Sequence, residues 1–449
     1  MTSYDTFFFD AYKYDAVNGV LRLHYSFKNG PAFEETVSFP LPEEDLSPDA
    51  MLALDHAFRL IFLLAGASYY KTYVPQRLEC KAFPLDKAAA AFFEKTYLNG
   101  LGEFAYRNKL DLDGKINFAV DANAAPEKHV SLPPKHKLLV PVGGGKDSIV
   151  SIETLKQAGE TVTLFALASA AGIAAPIAET ITASALPSIT VRRALSPNLV
   201  EINKAGALNG HVPITAILSA IAVATAILHG FDAVVMSNEH GASAPNLKVG
   251  GREINHQYSK SFEFEQDFAQ YLAARISLDI AYFSLLRQLS EADIARRFAK
   301  LEKYHGVFRS CNTAFRQELA ARGKNWCCEC PKCRFVFLAL APFMEKPHLV
   351  EIFGKDMLDD PAQREGYTEL CGLSAHKPFE CVGEIEESAL LMQKLHRSPA
   401  WKDDAIVREL GSKLDKDVKD FDQRFNALFQ PSADHRVPEK FLRMLDGRR

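Results

Sequence analysis

The sequence has no excess of basic residues and no long run of strongly apolar ones. Its 449 residues contain 52 Lys and Arg against 56 Asp and Glu, so the net charge of -4 provides no general attraction to nucleic acid. The longest uncharged stretches, such as 212–228, are rich in Ala and Thr and fall short of the ~20 apolar residues that span a bilayer. We therefore expect neither a nucleic-acid partner nor a membrane partner.

The amino-terminal residues lack the basic and apolar segments of a signal or transit peptide, so we expect a cytoplasmic protein. Cysteine is also sparse outside one segment, because four of the eight cysteines lie within 327–333. That density favours metal binding in a reducing compartment over a disulfide framework. Hydrophobic residues make up 47% of the chain and charged residues 24%, which is typical of a folded globular protein.

The length of 449 residues predicts two or three domains. Strand-like segments separated by Asn-Gly turns at 18–19 and 29–30, followed by helical periodicity, predict an N-terminal α+β domain over residues 1–132. Beyond it, short apolar runs alternate with helical ones, which predicts a doubly wound parallel sheet in a domain over 133–345. We interpret the more charged residues 346–449 as a smaller, mixed and helical C-terminal region.

Five apolar runs predict the strands of the parallel sheet. They lie at 138–142, 162–167, 189–191, 233–236 and 280–285. The helices between and after them are predicted at 148–157, 213–228 and 290–301. Because ligands of open α/β sheets bind at the carboxyl ends of the strands, the residues that follow each run are the first candidates for a site.

Three consecutive glycines follow the first strand. They open a segment, the glycine loop, that comprises Gly143, Gly144, Gly145, Lys146, Asp147 and Ser148. Glycine amides can approach an anion closely and the following helix directs its positive dipole end at the same point, so the pattern predicts phosphate binding. Walker A is excluded, since Val140 and Asp147 stand where it needs a glycine and a Ser or Thr, and the dinucleotide fingerprint also fails. A glycine-rich turn without a ligand is the alternative.

The glycine loop resembles the PP-loop of the ATP pyrophosphatases, whose usual pattern is Ser-Gly-Gly-x-Asp-Ser. The matching positions are Gly144, Gly145, Asp147 and Ser148. Gly143 replaces the leading serine and removes one hydroxyl donor. The resemblance implies a PP-loop, adenine nucleotide alpha hydrolase-like fold that cleaves ATP to AMP and pyrophosphate. Mg²⁺ is then expected near Asp147, with Lys146 and the loop amides holding the departing pyrophosphate.

The cysteine-rich segment is a candidate zinc site. Its thiols follow two successive x2 spacings, and the predicted ligands are Cys311, Cys327, Cys330 and Cys333. Spacing leaves out Cys328, although it can replace Cys327. The segment resembles the zinc knuckle of the PP-loop enzymes that make 7-cyano-7-deazaguanine, and four protein ligands imply a structural Zn²⁺ with no open position. Reduced cysteines without a metal are the alternative.

Further candidates come from polar segments later in the chain. Glu239 and His240 directly follow the strand predicted at 233–236, at the functional edge of the sheet. Lys260 lies in a polar loop, where it can neutralise a phosphate or carboxylate, and Cys381 lies in a late turn. An ordinary solvated loop is the alternative for the last two.

Six segments taken together resemble the UDP-N-acetylmuramoyl-L-alanyl-L-glutamate epimerase family. They are 142–148, 209–213, 237–239, 256–260, the cysteine segment and 377–383. That family inverts the terminal L-glutamate of a peptidoglycan precursor, so the resemblance implies a UDP-muramoyl dipeptide as small-molecule substrate, with ATP, Mg²⁺ and Zn²⁺. Adenylation of the carboxylate would allow the carbonyl to delocalise the carbanion. The candidates for the α-proton base are His240, Lys260, Glu239 and Cys381.

Two other PP-loop functions stay open at this point. An amide or nitrile synthase of the 7-cyano-7-deazaguanine synthase type would capture the adenylate with ammonia. A tRNA-modifying PP-loop ATPase would hold RNA with the cysteine segment and basic loops, which the acidic balance of the chain argues against. The products formed from ATP with each class of substrate distinguish the three.

Overall fold

A ten-stranded β-sheet runs through the protein, and helices cover both faces of its parallel half. It is seen in a computed structural model that describes residues 3–249, 251–315, 323, 325–374, 377–415 and 420–445. The strands are β1 Thr6–Asp15, β2 Val20–Phe27, β3 Ala32–Ser38, β4 Arg77–Cys80, β5 Asn117–Phe118, β6 Leu138–Pro141, β7 Val162–Ala168, β8 Ser188–Ala194, β9 Ala233–Met236, β10 Leu247–Val249, β11 Arg252–Ile254 and β12 Ala281–Ser284. Strands β10 and β11 form a separate hairpin.

The described residues also form α-helices, some of whose ends carry a side-chain cap or a glycine cap. The helices are α1 Pro48–Ala65, α2 Ala67–Tyr70, α3 Lys87–Gly100, α4 Gly102–Arg107, α5 Lys146–Gln157, α6 Ala175–Ser184, α7 Asn198–Lys204, α8 Ile214–His229, α9 Phe262–Arg275, α10 Glu291–Phe298, α11 Pro331–Leu340, α12 Lys346–Phe353, α13 Arg364–Leu370, α14 Ile385–His396, α15 Ala405–Leu414, α16 Phe421–Ala427 and α17 Glu439–Leu445. The Ser47 hydroxyl accepts the Ala50 N–H at 3.2 Å at the start of α1, and Gly230 ends α8 with a φ of 66°.

Five strands form the parallel half of the sheet, in the order β12-β9-β6-β7-β8. Strand β6 lies in the centre, and the strands that follow it in the chain are added on either side. The order therefore reverses beside β6, which is where ligands bind in sheets of this kind. The predicted mixed α/β class and the five predicted strands are confirmed with small differences at their ends, whereas the assignment to the PP-loop fold stays a prediction.

Side chains of the parallel strands alternate between two hydrophobic cores. The first core, which includes buried residues of α1, α8 and α9, receives Leu139, Phe165, Val191, Val234 and Tyr282. The second core, which includes buried residues of α5, α10 and α11, receives Leu138, Val140, Leu164, Val235 and Phe283. Because both faces are buried, the strands are almost continuously apolar, as the sequence indicated.

The antiparallel strands of the N-terminal part continue the same sheet. β3 pairs with β8, and β2, β1, β4 and β5 follow outward from it. Residues 1–132 therefore share both a sheet and the first core with the parallel strands, while the helices beyond residue 345 contribute to the second core. The division into three domains itself stays a prediction.

One helical stretch, Pro48–Tyr70, is long and apolar enough to cross a membrane by length and composition alone. In the folded protein, 72% of its most apolar window is buried. Helix α1, which makes up most of this stretch, packs against α8 in the first core. Core packing therefore accounts for its apolar composition.

A buried ion pair joins β3 to β8, where the two halves of the sheet meet. The Arg193 guanidinium donates from Nε to Glu35 Oε1 at 2.7 Å and from Nη2 to Oε2 at 3.0 Å. The Tyr69 hydroxyl donates to the same carboxylate at 2.8 Å, and Glu35 is fully buried. Removing one member of such a pair leaves an uncompensated charge in the core.

Replacing Glu35 with alanine should therefore lower the free energy of unfolding by about 3 to 5 kcal/mol, because Arg193 stays buried without its carboxylate. Urea unfolding measures this change. The control is Arg22→Ala, which removes the exposed Arg22–Glu34 pair on the neighbouring strands, with its 3.1 Å contact. It should cost about 1 kcal/mol or less, and equal losses in the two variants would contradict the assigned role of the buried pair.

Candidate active site

The glycine loop lies between β6 and α5, at the carboxyl edge of the parallel strands. Gly144 has a φ of 76°, and a Cβ at this position would come within 2.9 Å of Pro176. Both the backbone conformation and the close contact therefore require glycine. Helix α5 begins directly after the three glycines, so its first-turn N–H groups have no partners within the helix.

Lys146 begins α5 and is only 2% exposed. Its ammonium donates to Asp147 at 2.5 Å and to Glu291 at the start of α10. Burial alone would lower the pKa of Lys146, but the two carboxylates raise it above its ordinary value. Burial raises the pKa of Glu291 and raises that of Glu387 to about 7. The loop therefore combines a buried cation with acidic groups from three helices.

A serine from a distant segment lies against the glycine loop. A Cβ at Gly145 would lie only 2.6 Å from the Ser310 Oγ, and the Arg309 N–H donates to the Gly144 carbonyl at 2.8 Å. These contacts place a hydroxyl beside the loop, in which Gly143 stands where the PP-loop pattern has serine. No motif in the sequence points to Ser310, although it directly precedes the predicted zinc ligand Cys311.

Cys381 lies between two basic side chains. The Lys260 ammonium donates to the Cys381 Sγ at 3.3 Å, and the His256 segment is joined to the Cys381 segment by Asn246, which bonds the His256 N–H and the Pro378 carbonyl. Burial alone would raise the pKa of Cys381, but the positive charge of Lys260 and the neighbouring His256 imidazole lower it to about 6. At neutral pH the group is therefore mainly a thiolate.

Lys260 connects this thiolate with the glycine loop. Burial alone would lower the pKa of Lys260, but the negative charges of Cys381, Glu239 and Asp147 raise it above its ordinary value. These three groups come from the turn before α14, the segment after β9 and the first turn of α5. The ammonium thus balances acidic groups that the chain brings together from far apart.

A carboxylate from the N-terminal part faces two histidines. Glu103 on α4 is buried and bonds the His256 Nδ1, while the His211 Nδ1 lies 3.9 Å from the same carboxylate oxygen. Burial alone would lower the pKa of His256, but the neighbouring Cys381 and Glu103 raise it to about 9. Burial and the neighbouring His256 lower the pKa of His211 to about 4. At neutral pH, His256 is therefore charged and His211 is neutral.

Arg287 fixes the backbone at two predicted site residues. This fully buried guanidinium donates from Nη1 to the Glu239 carbonyl at 2.7 Å and from Nη2 to the Lys260 carbonyl at 2.6 Å. Its charge is balanced by Glu265 at 2.9 Å. Sequence reasoning missed Arg287, although an arginine within the otherwise apolar stretch after β12 was an available signal.

The structure brings two of the four predicted base candidates into contact. Cys381 and Lys260 are in contact and Glu239 lies close enough to affect the charge of Lys260. His240 lines a cavity of about 540 Å³, together with Asn255 and other polar residues. The role of each residue in the reaction stays a prediction.

Two acidic residues of this site were missed in the sequence. Glu291 and Glu103 reach their partners across 145 and 153 residues of chain. Glu291 follows a helix-capping serine, where an acidic residue in the first turn of a helix is common. Glu103 occurs in a short helix far from any motif. No local pattern could have identified either.

The predicted zinc ligands form a compact group. Their ligand atoms all lie within 4.8 Å of one another, and the residues are Cys311, Cys327, Cys330 and Cys333. The Cys333 Sγ lies 3.7 Å from that of Cys327 and 3.5 Å from that of Cys330, near the ~3.8 Å expected between thiolates around tetrahedral zinc. The Cys328 thiol donates to the Phe353 carbonyl at 3.4 Å instead. The four thiols therefore fit a zinc ion without Cys328.

Fold and site together define an α/β enzyme, in which acidic and basic side chains are buried beside a glycine loop at the edge of a parallel sheet. Two family models match the chain: the MurL N-terminal domain over residues 1–285 and the MurL C-terminal domain over residues 307–424. The chain therefore belongs to the MurL family, the UDP-N-acetylmuramoyl-L-alanyl-L-glutamate epimerases.

Three curated relatives carry the same name, UDP-N-acetyl-alpha-D-muramoyl-L-alanyl-L-glutamate epimerase. The protein of Xanthomonas oryzae pv. oryzae is 43% identical, with 96% of this chain and 95% of the relative covered. That of Micromonospora sp. is 42% identical, with 98% of each covered. That of Salinispora tropica is 44% identical, with 90% of this chain and 88% of the relative covered. The predicted family and the predicted enzyme class, an isomerase, are confirmed.

The environment of Cys381 predicts an unusually reactive thiol. Its alkylation by iodoacetamide should increase with pH around a midpoint near 6, below the ~8.5 of a free thiol, because Lys260 and His256 stabilise the thiolate. Mass spectrometry of the labelled peptide, between about pH 5 and pH 9, measures the rate. Cys371 is the internal control, since burial raises its pKa to about 12 and it should stay unlabelled in the folded protein. A Cys381 midpoint near that of a free thiol would contradict the assigned contacts.

Proposed function

We propose that this chain is an ATP- and Mg²⁺-dependent epimerase that converts the terminal L-glutamate of UDP-N-acetylmuramoyl-L-alanyl-L-glutamate to D-glutamate. The substrate is taken from the name of relatives that are 42–44% identical over most of the chain. The name of these relatives does not support the two other PP-loop functions, the amide or nitrile synthase and the tRNA-modifying ATPase. The mechanism rests on one observation, that Lys260 connects the thiol with the glycine loop. The Lys260 ammonium contacts the Cys381 thiol at 3.3 Å, and the negative charge of Asp147 is among those that raise the pKa of Lys260.

Activation of the carboxylate explains why an epimerase would need ATP. An α-proton beside a free carboxylate is scarcely acidic, because its removal would place a second negative charge next to the first. In the proposed reaction, a carboxylate oxygen of the substrate attacks the α-phosphorus of ATP, the bond to the bridging oxygen breaks, and pyrophosphate leaves. The carbonyl of the mixed anhydride can then accept the electron pair of the C–H bond as an enolate.

The Cys381 thiolate is the group best suited to remove the α-proton. With a pKa lowered to about 6, it is ionised at neutral pH and becomes a neutral thiol when it accepts the proton. Lys260 stays protonated beside it, so its positive charge can stabilise the enolate oxygen. Reprotonation of the opposite face followed by hydrolysis of the anhydride gives the D-residue and AMP.

The residues around the glycine loop fit the phosphates and the metal ion that this reaction needs. The amides of Gly143, Gly144 and Gly145 and the Ser310 hydroxyl would hold the phosphate oxygens. The carboxylate of Asp147 is an oxygen ligand of the kind that Mg²⁺ prefers. When bound there, Mg²⁺ would neutralise part of the phosphate charge.

The decisive experiment is turnover of UDP-muramoyl-alanyl-L-glutamate with ATP and Mg²⁺ in D₂O. The D-glutamyl product should carry α-deuterium, and AMP and pyrophosphate should form, because exchange of the α-hydrogen requires the activated carboxylate. Chiral analysis, mass spectrometry and phosphorus NMR measure the three quantities. Formation of ADP and orthophosphate, or equal exchange without ATP, would exclude adenylation.

Variants separate the two steps of this reaction. Cys381→Ala should abolish deuterium incorporation but leave pyrophosphate release measurable, since adenylation precedes proton removal, whereas Asp147→Asn should lose both. Cys80→Ala is the matched control, because this cysteine lies on β4 at the outer part of the sheet. If His240→Gln loses exchange while Cys381→Ala keeps it, the base is His240.

A structural zinc ion is proposed for the four-thiol cluster. Purified protein should contain one zinc per chain, and Cys330→Ser should lose the metal and unfold at a lower temperature, because the thiols are then held only by weak contacts. Elemental analysis and thermal unfolding measure these effects. Cys328→Ser is the matched control and should keep its zinc. Active protein without stoichiometric zinc would contradict the proposal, and zinc loss confined to the Cys328 variant would make that cysteine the ligand.

A further inference from the structure

Helix α4 in the N-terminal part contributes one charged side chain, Glu103, to the Cys381 cluster. We use this name for Cys381, Lys260, His256, His211 and Glu103. Glu103 is only 5% exposed and belongs to the six-residue helix α4. Its Oε1 accepts a hydrogen bond from the Arg107 Nε at 2.5 Å, and its Oε2 bonds the His256 Nδ1. The carboxylate is thus aimed at the imidazole and not at solvent.

The His256 imidazole continues this chain of contacts to the thiol. One ring nitrogen faces Glu103. Asn246 joins the His256 segment to the Cys381 segment, because its side chain accepts the His256 N–H at 2.8 Å and donates to the Pro378 carbonyl at 2.9 Å. Burial alone would lower the pKa of His256, but the neighbouring Cys381 and Glu103 raise it. A carboxylate on one side of an imidazole fixes the orientation of the ring and favours its protonated form. A protonated imidazole in turn favours the thiolate over the thiol. Glu103 can therefore influence Cys381 without touching it.

The lysines that face the cluster cannot take over this role, and the carboxylates of Glu239 and Asp147 act on Lys260. The positive charges of Lys260 and Lys332 are among the causes that lower the pKa of Cys381. Those of Lys260 and Lys71 are among the causes that lower the pKa of His211. They favour the thiolate but oppose a positive charge on His256. His211 is neutral at neutral pH, and its ring centroid lies 4.4 Å from that of His256. Among the described residues that face His256, the Cys381 thiolate and Glu103 supply negative charge. Glu103 therefore acts on the imidazole independently of the thiol.

We propose that Glu103 is a positioning residue that holds His256 against Cys381, so that the N-terminal part of the chain completes the proton-transfer site. The effect on catalysis rests on the proposed function. The effect on the thiol does not, because it can be measured without substrate.

The test is the pH dependence of Cys381 alkylation by iodoacetamide in Glu103→Gln, which keeps the size of the side chain and removes its charge. The midpoint should rise by about one pH unit or more, so the labelling rate near neutral pH should fall roughly tenfold. Glu79→Gln is the matched control, an acid-to-amide change on β4 of the same N-terminal part, and its midpoint should equal that of the unmodified protein. Deuterium incorporation should fall in Glu103→Gln, while the KM for ATP stays unchanged.

An unchanged midpoint in folded Glu103→Gln would overturn the proposal. If that variant does not fold, Glu103→Asp should still raise the midpoint by a smaller amount, since the shorter side chain withdraws from His256, and an unchanged midpoint would again overturn it. A second equivalent of zinc that Glu103→Gln removes would also overturn it, because the cluster would then be a metal site. If the midpoint rises but the unmodified protein exchanges no α-hydrogen, the proposed function fails and the positioning role stands.

Discussion

The pairing of buried charges is the constraint on which the whole site depends. An unpaired ammonium or carboxylate in a low-dielectric interior costs several kcal/mol, so each one in the protein needs a partner of opposite charge. Lys260 meets this need with Cys381, Glu239 and Asp147, and Arg287 meets it with Glu265. Because these partners come from different segments, satisfying the charges also fixes the segments relative to one another.

The same pairing explains why a thiol in this position stays ionised. Burial opposes a thiolate, yet the Lys260 ammonium and the His256 imidazole lower the pKa of Cys381 to about 6. Arg287 holds the Lys260 carbonyl at 2.6 Å, so the residue that stabilises the thiolate is itself held by a buried guanidinium. The strength of the proposed base is therefore a property of the packed interior and not of the local sequence.

The sequence predicted the features that depend on neighbours in the chain. The strand, three glycines and helix at β6 and α5 are local, and so are the cysteine spacings of 327–333, which the structure gathers with Cys311 within 4.8 Å. It also placed Cys381 and Lys260 among the candidates, from their polar segments and then from a family resemblance. It could not identify Glu103 or Glu291, because a lone glutamate acquires its role only from a partner about 150 residues away.

The site is assembled from all three parts of the chain. The proposed base, Cys381, comes from the C-terminal part, the glycine loop from the centre and Glu103 from the N-terminal part. Ser310 directly precedes Cys311, so the thiol cluster and the hydroxyl beside Gly145 lie on one short segment. A metal ion that orders this segment would therefore also determine where the hydroxyl lies. Thus the thiol cluster, although it leaves no open position for substrate, is connected through a single residue to the loop that we assign to phosphate binding.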